Sequence, residues 1–286
     1  MTKTLSVFFV GSLLGAGFAL SAQELKAPPP VLRIFREDIK EGKGVAHERS
    51  ESSFMQAAAK AKYPAHVLGT TAETGPSQAW FFEDHSSFAA IGETDAAFEK
   101  SELATLDAAD GELRSGSRSL IAVYRPDLSY RAKELVEKLP KARYVNMIMM
   151  RVHLGQDLGF AELGKTMIAA AQKSGNDQPV ATYQIVSGAP VGTYMLLEPT
   201  DSLKTLDTAA QRSRALYQAM GDSGRQQVEK SVAETMINEE STLLTINPKM
   251  SYVSKEFAAG DPDFWMAKTA KTARPASKGT DKTATK

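Results

Sequence analysis

Four histidines are the first places to look for a metal ligand or a general base: His47, His66, His85 and His153. None falls into a close ligand pair. The run His47-Glu48-Arg49-Ser50-Glu51 lacks the second histidine that a metalloprotease helix carries on the same face, and a catalytic zinc normally draws on three protein ligands. The spacing therefore predicts no metal. His153 ends an apolar, methionine-rich segment, RYVNMIMMRVH (143–153), and is the most pocket-like of the four. His85, within Glu83-Asp84-His85-Ser86, reads as a helix-cap region. Asn146 interrupts the same apolar segment, where a polar side chain is hydrogen-bonded or costs about 1–3 kcal/mol. Glu83 and Glu198 stand at equivalent positions in the two halves of the chain. They suit either an acid–base pair facing one cavity or the capping of the helices that follow. Arg36, Arg125 and Arg151 are candidate ligands for an anionic group, and rim salt bridges account for them as well.

Other chemistries are excluded by what the chain lacks. There is no phosphate-binding loop and no dinucleotide fingerprint. Gly11, Gly15 and Gly17 sit in a leader-like segment and bind nothing. With 34 basic and 34 acidic residues the formal net charge is zero, so there is no electrostatic footprint for nucleic acid or an anionic membrane. Cysteine is absent, which removes disulfides, thiolate nucleophiles and iron–sulfur centres. Lys3, the uncharged stretch from Leu5 to Leu20 and the small residues Ala19-Leu20-Ser21-Ala22 read as a signal peptide over 1–22. The mature chain is then expected outside the cytosol, in the periplasm or extracellular space, without a membrane span. Residues 268–286 are rich in Lys, Thr and Ala, contain no aromatic residue, and predict a disordered tail.

The elements that must position these residues come twice. RSLIAVYRPDLSY (118–130) and ESTLLTINPKMSY (240–252) each run from an apolar strand into a proline, a two-residue step and Ser-Tyr. Internal similarity at long spacing sets architecture before any local motif does. The first half, 31–139, reads as strand Val31–Ile39, helix Val45–Lys62, strand His66–Thr74, a turn at Gly75-Pro76, strand Gln78–Glu83, a helical stretch from Ser86 interrupted at Gly92, and strand Ser117–Tyr124. The second, 141–257, repeats the order, with a helix break at Gly221–Gly224. Each half is thus β-α-β-β-α-β, a ferredoxin-like unit. One face of such a sheet is covered by helices and the other is apolar, so two units in one chain are expected to pack sheet to sheet as an intramolecular α/β barrel, an α+β fold. Pro140 marks the junction. The methionines between 147 and 250 read as core filler.

The element order resembles the dimeric α/β-barrel superfamily in a tandem single-chain form. The opening strand, the Gly42-Lys43-Gly44 loop and the helix beginning near His47 are similar to NIPSNAP-like and EthD-like domains. The superfamily includes haem peroxidases, chlorite dismutases, cofactor-independent monooxygenases and isomerases, and its ligands usually sit inside the barrel or between sheet and helices. In the haem-binding members the proximal histidine comes from a helix of the second half. The second-half helices here hold no histidine, so no cofactor is expected. The cofactor-independent oxygenases use tryptophan, asparagine and histidine or tyrosine. The resemblance accordingly implies Asn146, His153 and Tyr183 as catalytic candidates and Trp80 as a ligand-binding candidate; Arg151 is a ligand-binding candidate by its charge alone. Trp80 stands beside Phe81 and Phe82, a setting equally suited to core. Two functions follow as expectations. The chain is a binding or structural barrel for a small apolar molecule, or it is a cofactor-independent monooxygenase or isomerase acting on a small aromatic or polyketide-like substrate. A filled interior would favour the first reading, and converging polar groups the second. Self-association as a homodimer, through a sheet edge or a helix face, is a further expectation.

Overall fold

The computed structural model describes residues 27–266; the expected signal peptide and tail lie outside them. Among the described residues eight strands form one closed antiparallel barrel. They are β1 (Val31–Ile39), β2 (Val67–Ala72), β3 (Gln78–His85), β4 (Arg114–Tyr124), β5 (Tyr144–Val152), β6 (Ala181–Ser187), β7 (Thr193–Thr200) and β8 (Met236–Ile246). Their order around the barrel is β1-β3-β2-β8-β5-β7-β6-β4. Each half contributes a continuous arc of four strands. The arcs join edge to edge rather than by the stacking of two separate sheets: β2 hydrogen-bonds to β8 and β4 to β6. Edge joining satisfies the backbone groups that an open four-stranded sheet would leave exposed. The seams do not run the length of the strands: residues 114–120 of β4 and 236–243 of β8 pair on one side only.

Alternation along each strand sorts residues to the two sides. Ile34, Trp80, Leu120, Met147, Met195 and Leu244 fill the barrel interior. Phe35, Ala79 and Phe81 face outward and pack under a helix through Met55. Both faces are apolar because both are covered. The covering helices are α1 (Gly44–Ala61), α2 (Phe88–Glu99), α3 (Leu103–Asp110), α4 (Ala132–Lys138), α5 (Asp157–Ser174), α6 (Lys204–Asp207), α7 (Ala209–Thr235), α8 (Lys255–Ala258) and α9 (Pro262–Trp265). The helical stretch after Ser86 divides at Lys100–Glu102 and not at Gly92, which lies inside α2 with open space around it. In α7 the break is where expected: Gly221 has φ 72° and kinks the helix. No helix of the described residues is long and apolar enough to cross a membrane. The chain continues past 257 into α9, where the Trp265 indole N–H donates to the carbonyl of Pro140 and holds α9 over the junction.

The repeated Pro-x-x-Ser-Tyr segments are the fastenings of the two seams. Pro126 and Pro248 each open a single 3₁₀ turn. Ser129 then donates its hydroxyl back to Arg125 O at 2.7 Å and accepts from the N–H of Thr182 at 2.9 Å. Ser251 does the same with Asn247 O at 2.7 Å and the N–H of Gly69 at 2.9 Å. Tyr130 and Tyr252 complete each fastening with a backbone bridge, to Val180 and Val67. Each segment thus ties the end of one half to a strand of the other. Gly69 must be glycine: a Cβ there would stand 2.0 Å from Met250 O. Ser129→Ala and Ser251→Ala should each lower stability by about 1–3 kcal/mol through loss of buried hydrogen bonds. The loss is read as a lower urea midpoint at unchanged slope. Unaltered midpoints in both variants would show that the seams hold without these hydroxyls.

Candidate functional site

One end of the barrel is hollow. A cavity of about 740 Å³ opens there between the first residues of β1, β2, β5 and β6 and the last residues of β3 and β7. Its walls are apolar, with Leu32, Phe82, Val145, Ala181 and Leu197 from the strands and Phe257 from α8 closing over them. Trp80 and the methionines Met147 and Met195 fill the middle of the barrel below this end. The size and the apolar walls suit a small organic ligand.

Polar side chains also meet the cavity, among them Lys133, Glu137 and Glu256 from the covering segments and two features at the strands. Tyr183 is buried on its wall, and its hydroxyl donates to Pro29 O at 3.1 Å. Burial holds the Tyr183 phenol well above its ordinary pKa, with Tyr124 and Asp84 adding to the shift, so it stays neutral. At the mouth, His66 faces Asp84, with Nδ1 3.7 Å from Oδ2, and the backbone N–H of His66 donates to Asp84 Oδ1 at 2.7 Å. The Tyr252 ring lies 5.5 Å from the His66 ring and limits its movement. A carboxylate beside an imidazole in a largely apolar site is a candidate general base with an orienting partner. The sequence reading overlooked this pair because His66 and Asp84 are joined only by the pairing of β2 with β3.

A second polar cluster lies on the outer face of the first half, under α1 and α3. Glu37 of β1, His47 and Glu51 of α1 and Asp110 of α3 are all buried, and their ligand atoms lie within 4.8 Å of one another. His47 Nε2 is 2.8 Å from Glu37 Oε2 and 3.4 Å from Asp110 Oδ2. Arg114 pairs with Glu37 and, through Nε at 3.3 Å, with Asp110. Burial raises the Glu51 carboxyl to about 9, helped by Glu37 and Asp110. The expectation of no metal rested on linear spacing, which does not show that these four side chains come together. His47 and Glu51 do share a helical face, and strand alternation turns Glu37 toward them. The legible signal was a glutamate on the covered face of an apolar strand.

The structure disperses the residues singled out from the sequence. Tyr183 lines the cavity, and Trp80 lies deeper in the interior, its N–H donating to Gln78 Oε1 at 3.1 Å. Asn146 is on the outer face of β5, donating to Glu198 Oε2 at 2.9 Å and accepting from Ser241 at 2.8 Å. His153 and Arg151 are exposed at the other end of β5. Asn146, His153 and Tyr183 therefore do not converge. Glu83 and Glu198 share no cavity and cap no helix. Glu83 accepts from Arg33 at 2.8 Å and contacts His85 at 2.5 Å, while Ser87 caps α2. The residues do not fit the haem arrangement of the haem-binding barrels that the element order resembles either. Between the second-half strands and α5 the space is packed by Phe160, Ala161 and Tyr194, and neither α5 nor α7 carries a histidine.

No protein-family model and no curated protein matches this chain, so the likeness of its first residues to NIPSNAP-like and EthD-like domains finds no match of its own. Solved structures do share its fold. A candidate monooxygenase from Lactobacillus acidophilus is 9% identical at a TM-score of 0.50, over 76% of this chain and 94% of that one. A candidate monooxygenase from Fusobacterium nucleatum is 10% identical at 0.50, over 77% and 93%. A variant chlorite dismutase from Candidatus Nitrospira defluvii is 13% identical at 0.50, over 82% and 98%. The chain is thus similar in fold to ferredoxin-like barrel proteins of the monooxygenase and chlorite-dismutase kind.

The Asn146–Glu198 contact generates a test of its own. Burial raises the Glu198 carboxyl, and the hydrogen bond from Asn146 opposes that shift. A raised carboxyl costs stability as the pH climbs past its unfolded value, and protonation at low pH relieves the cost. Asn146→Leu should therefore destabilise by about 1 kcal/mol at neutral pH and by less toward pH 4, measured by urea titration at several pH values. A pH-independent loss would detach Asn146 from the ionisation of Glu198.

Proposed function

We propose that this chain acts on a small aromatic or polyketide-like molecule held in the barrel cavity, as a cofactor-independent monooxygenase or isomerase. The observation that carries the reading is the apolar cavity of about 740 Å³ with a histidine–carboxylate pair at its mouth. The alternative of a barrel filled throughout by methionines and aromatics describes the middle of the interior but not this end. The names of the fold neighbours support the same direction, as analogy of fold only.

In this reading His66 removes a proton from an acidic C–H of the bound molecule, and Asp84 orients the imidazole and stabilises its charged form. The apolar walls keep water from the carbanion. An isomerase returns the proton at another carbon. A monooxygenase lets the carbanion react with dioxygen: a CH₂ group becomes a carbonyl, one oxygen atom enters the product, and the other leaves as water. The substrate supplies all the electrons, so no cofactor enters the balance. Tyr183 serves as a neutral wall whose hydroxyl is already committed to Pro29. A second reading, binding without turnover, draws on the 3.7 Å separation of His66 and Asp84, which is too long for a hydrogen bond. We propose further, from residues 1–22, that the protein works outside the cytosol.

Native mass spectrometry of the gently purified chain, followed by denaturation, should release a stoichiometric apolar molecule. Oxygen uptake with hydroaromatic and phenolic substrates should then fall about 10²–10⁴-fold in kcat/KM for His66→Gln. A released ligand with no turnover in the parent chain would select the binding reading. A bare mass, together with failure of an apolar fluorescent dye to bind, would leave the barrel as a packed scaffold.

A further inference from the structure

We propose that Glu37, His47, Glu51 and Asp110 form a binding site for one divalent first-row transition ion, outside the barrel and separate from the cavity. The site lies on the covered face of β1. Glu37 is five residues along the strand from the cavity residue Leu32, about 16 Å at the rise of an extended strand, and on the opposite face.

The four side chains come from three elements, and none is more than 7% exposed. Their positions are fixed by packing: His47 lies against Phe81, with ring centroids 6.4 Å apart, and Arg114 braces Glu37 from the rim. Asp110 gives the independent sign of a missing partner. It is 1% exposed, and neither of its carboxylate oxygens accepts a hydrogen bond of good geometry: Arg114 Nε at 3.3 Å and His47 Nε2 at 3.4 Å both approach Oδ2, and Oδ1 has no partner. A buried acceptor left without a donor costs about 1–3 kcal/mol, more when charged. Its Oδ2 points into the cluster, 3.4 Å from His47 Nε2.

The donor set defines the ion. One imidazole nitrogen with three carboxylates is too nitrogenous for a magnesium or calcium cage and has no thiolate for copper(I). It suits manganese, iron or zinc in the divalent state. Charge points the same way. With imidazole bound in its neutral form, three carboxylates are balanced by one divalent ion together with the Arg114 guanidinium. Arg114 remains at the rim, where it also pairs with the exposed Asp107.

The test uses the untagged full chain, stripped with EDTA and then dialysed separately against MnCl₂ and ZnSO₄. Metal content is measured by plasma mass spectrometry and affinity by calorimetry. The parent chain should retain one ion, and Glu51→Gln and Asp110→Asn, both near-isosteric, should each weaken binding at least about tenfold while keeping the circular dichroism spectrum. Should either variant fold poorly, the parent chain still decides. Substoichiometric Mn²⁺ should broaden the NMR signals of the His47 and Phe81 rings and spare those of His153. No retained ion from either salt would overturn the proposal, leaving Arg114 as the cluster's resident cation. Equal retention by parent and variants, or broadening confined to other residues, would overturn it as well, because the ion would then sit elsewhere.

Discussion

Everything in this molecule depends on the two seams at which the four-stranded arcs become one barrel. An open ferredoxin-like sheet has an apolar face that needs covering and two edges whose amides need partners. Joining β2 to β8 and β4 to β6 meets both requirements together. The seams are short, three and four paired residues, so they rely on reinforcement. It comes from Ser129 and Ser251, each of which holds a strand of the opposite half through its hydroxyl. The same turn carries Leu128 under α5 and Met250 under α1, in the layer between strands and helices, where both are buried. The polar fastening and the apolar plug therefore arise from one local conformation.

Closure decides where chemistry can occur. Inside, the middle of the barrel is filled by large side chains and offers no room. At the end where β1 and β6 begin, the strands and the covering segments α4 and α8 leave the cavity open. This end also carries the His66–Asp84 pair, so space and a proton-transfer group coincide. Outside, the layer between strands and helices behaves differently in the two halves. The first half holds Arg33–Glu83–His85 and the His47 cluster, two buried ionic networks. The corresponding layer of the second half is largely aromatic and aliphatic around Phe160 and Tyr194. Two halves with one element order therefore differ in what their covered faces can bind.

Much of the architecture was readable in the chain. The period-two and helical patterns located β1 to its terminal residues, the other strands within a few positions, and the kink at Gly221. The paired Pro-x-x-Ser-Tyr segments announced two halves of like element order. These features are local: they follow from alternation, turn chemistry and the intolerance of helices for certain residues. The candidate sites were far less legible. Asn146, His153 and Tyr183 are chemically suitable, but pleating sends Asn146 to the outside and Tyr183 to the inside, and His153 lies at the opposite end of its strand. No composition argument distinguishes these outcomes, since a shift of one residue reverses the face.

The sequence by itself thus determined the element order, the two-part construction, the absence of thiol chemistry and a formal net charge of zero. Each of these is a property of residue types and their spacing along the chain. Only the tertiary structure decided that His66 meets Asp84, that Glu37 and Asp110 reach His47 and Glu51, and that one end of the barrel is hollow. Those facts depend on strand register and on helix placement between residues up to 73 positions apart, and long-range juxtaposition of that kind has no signature in linear spacing.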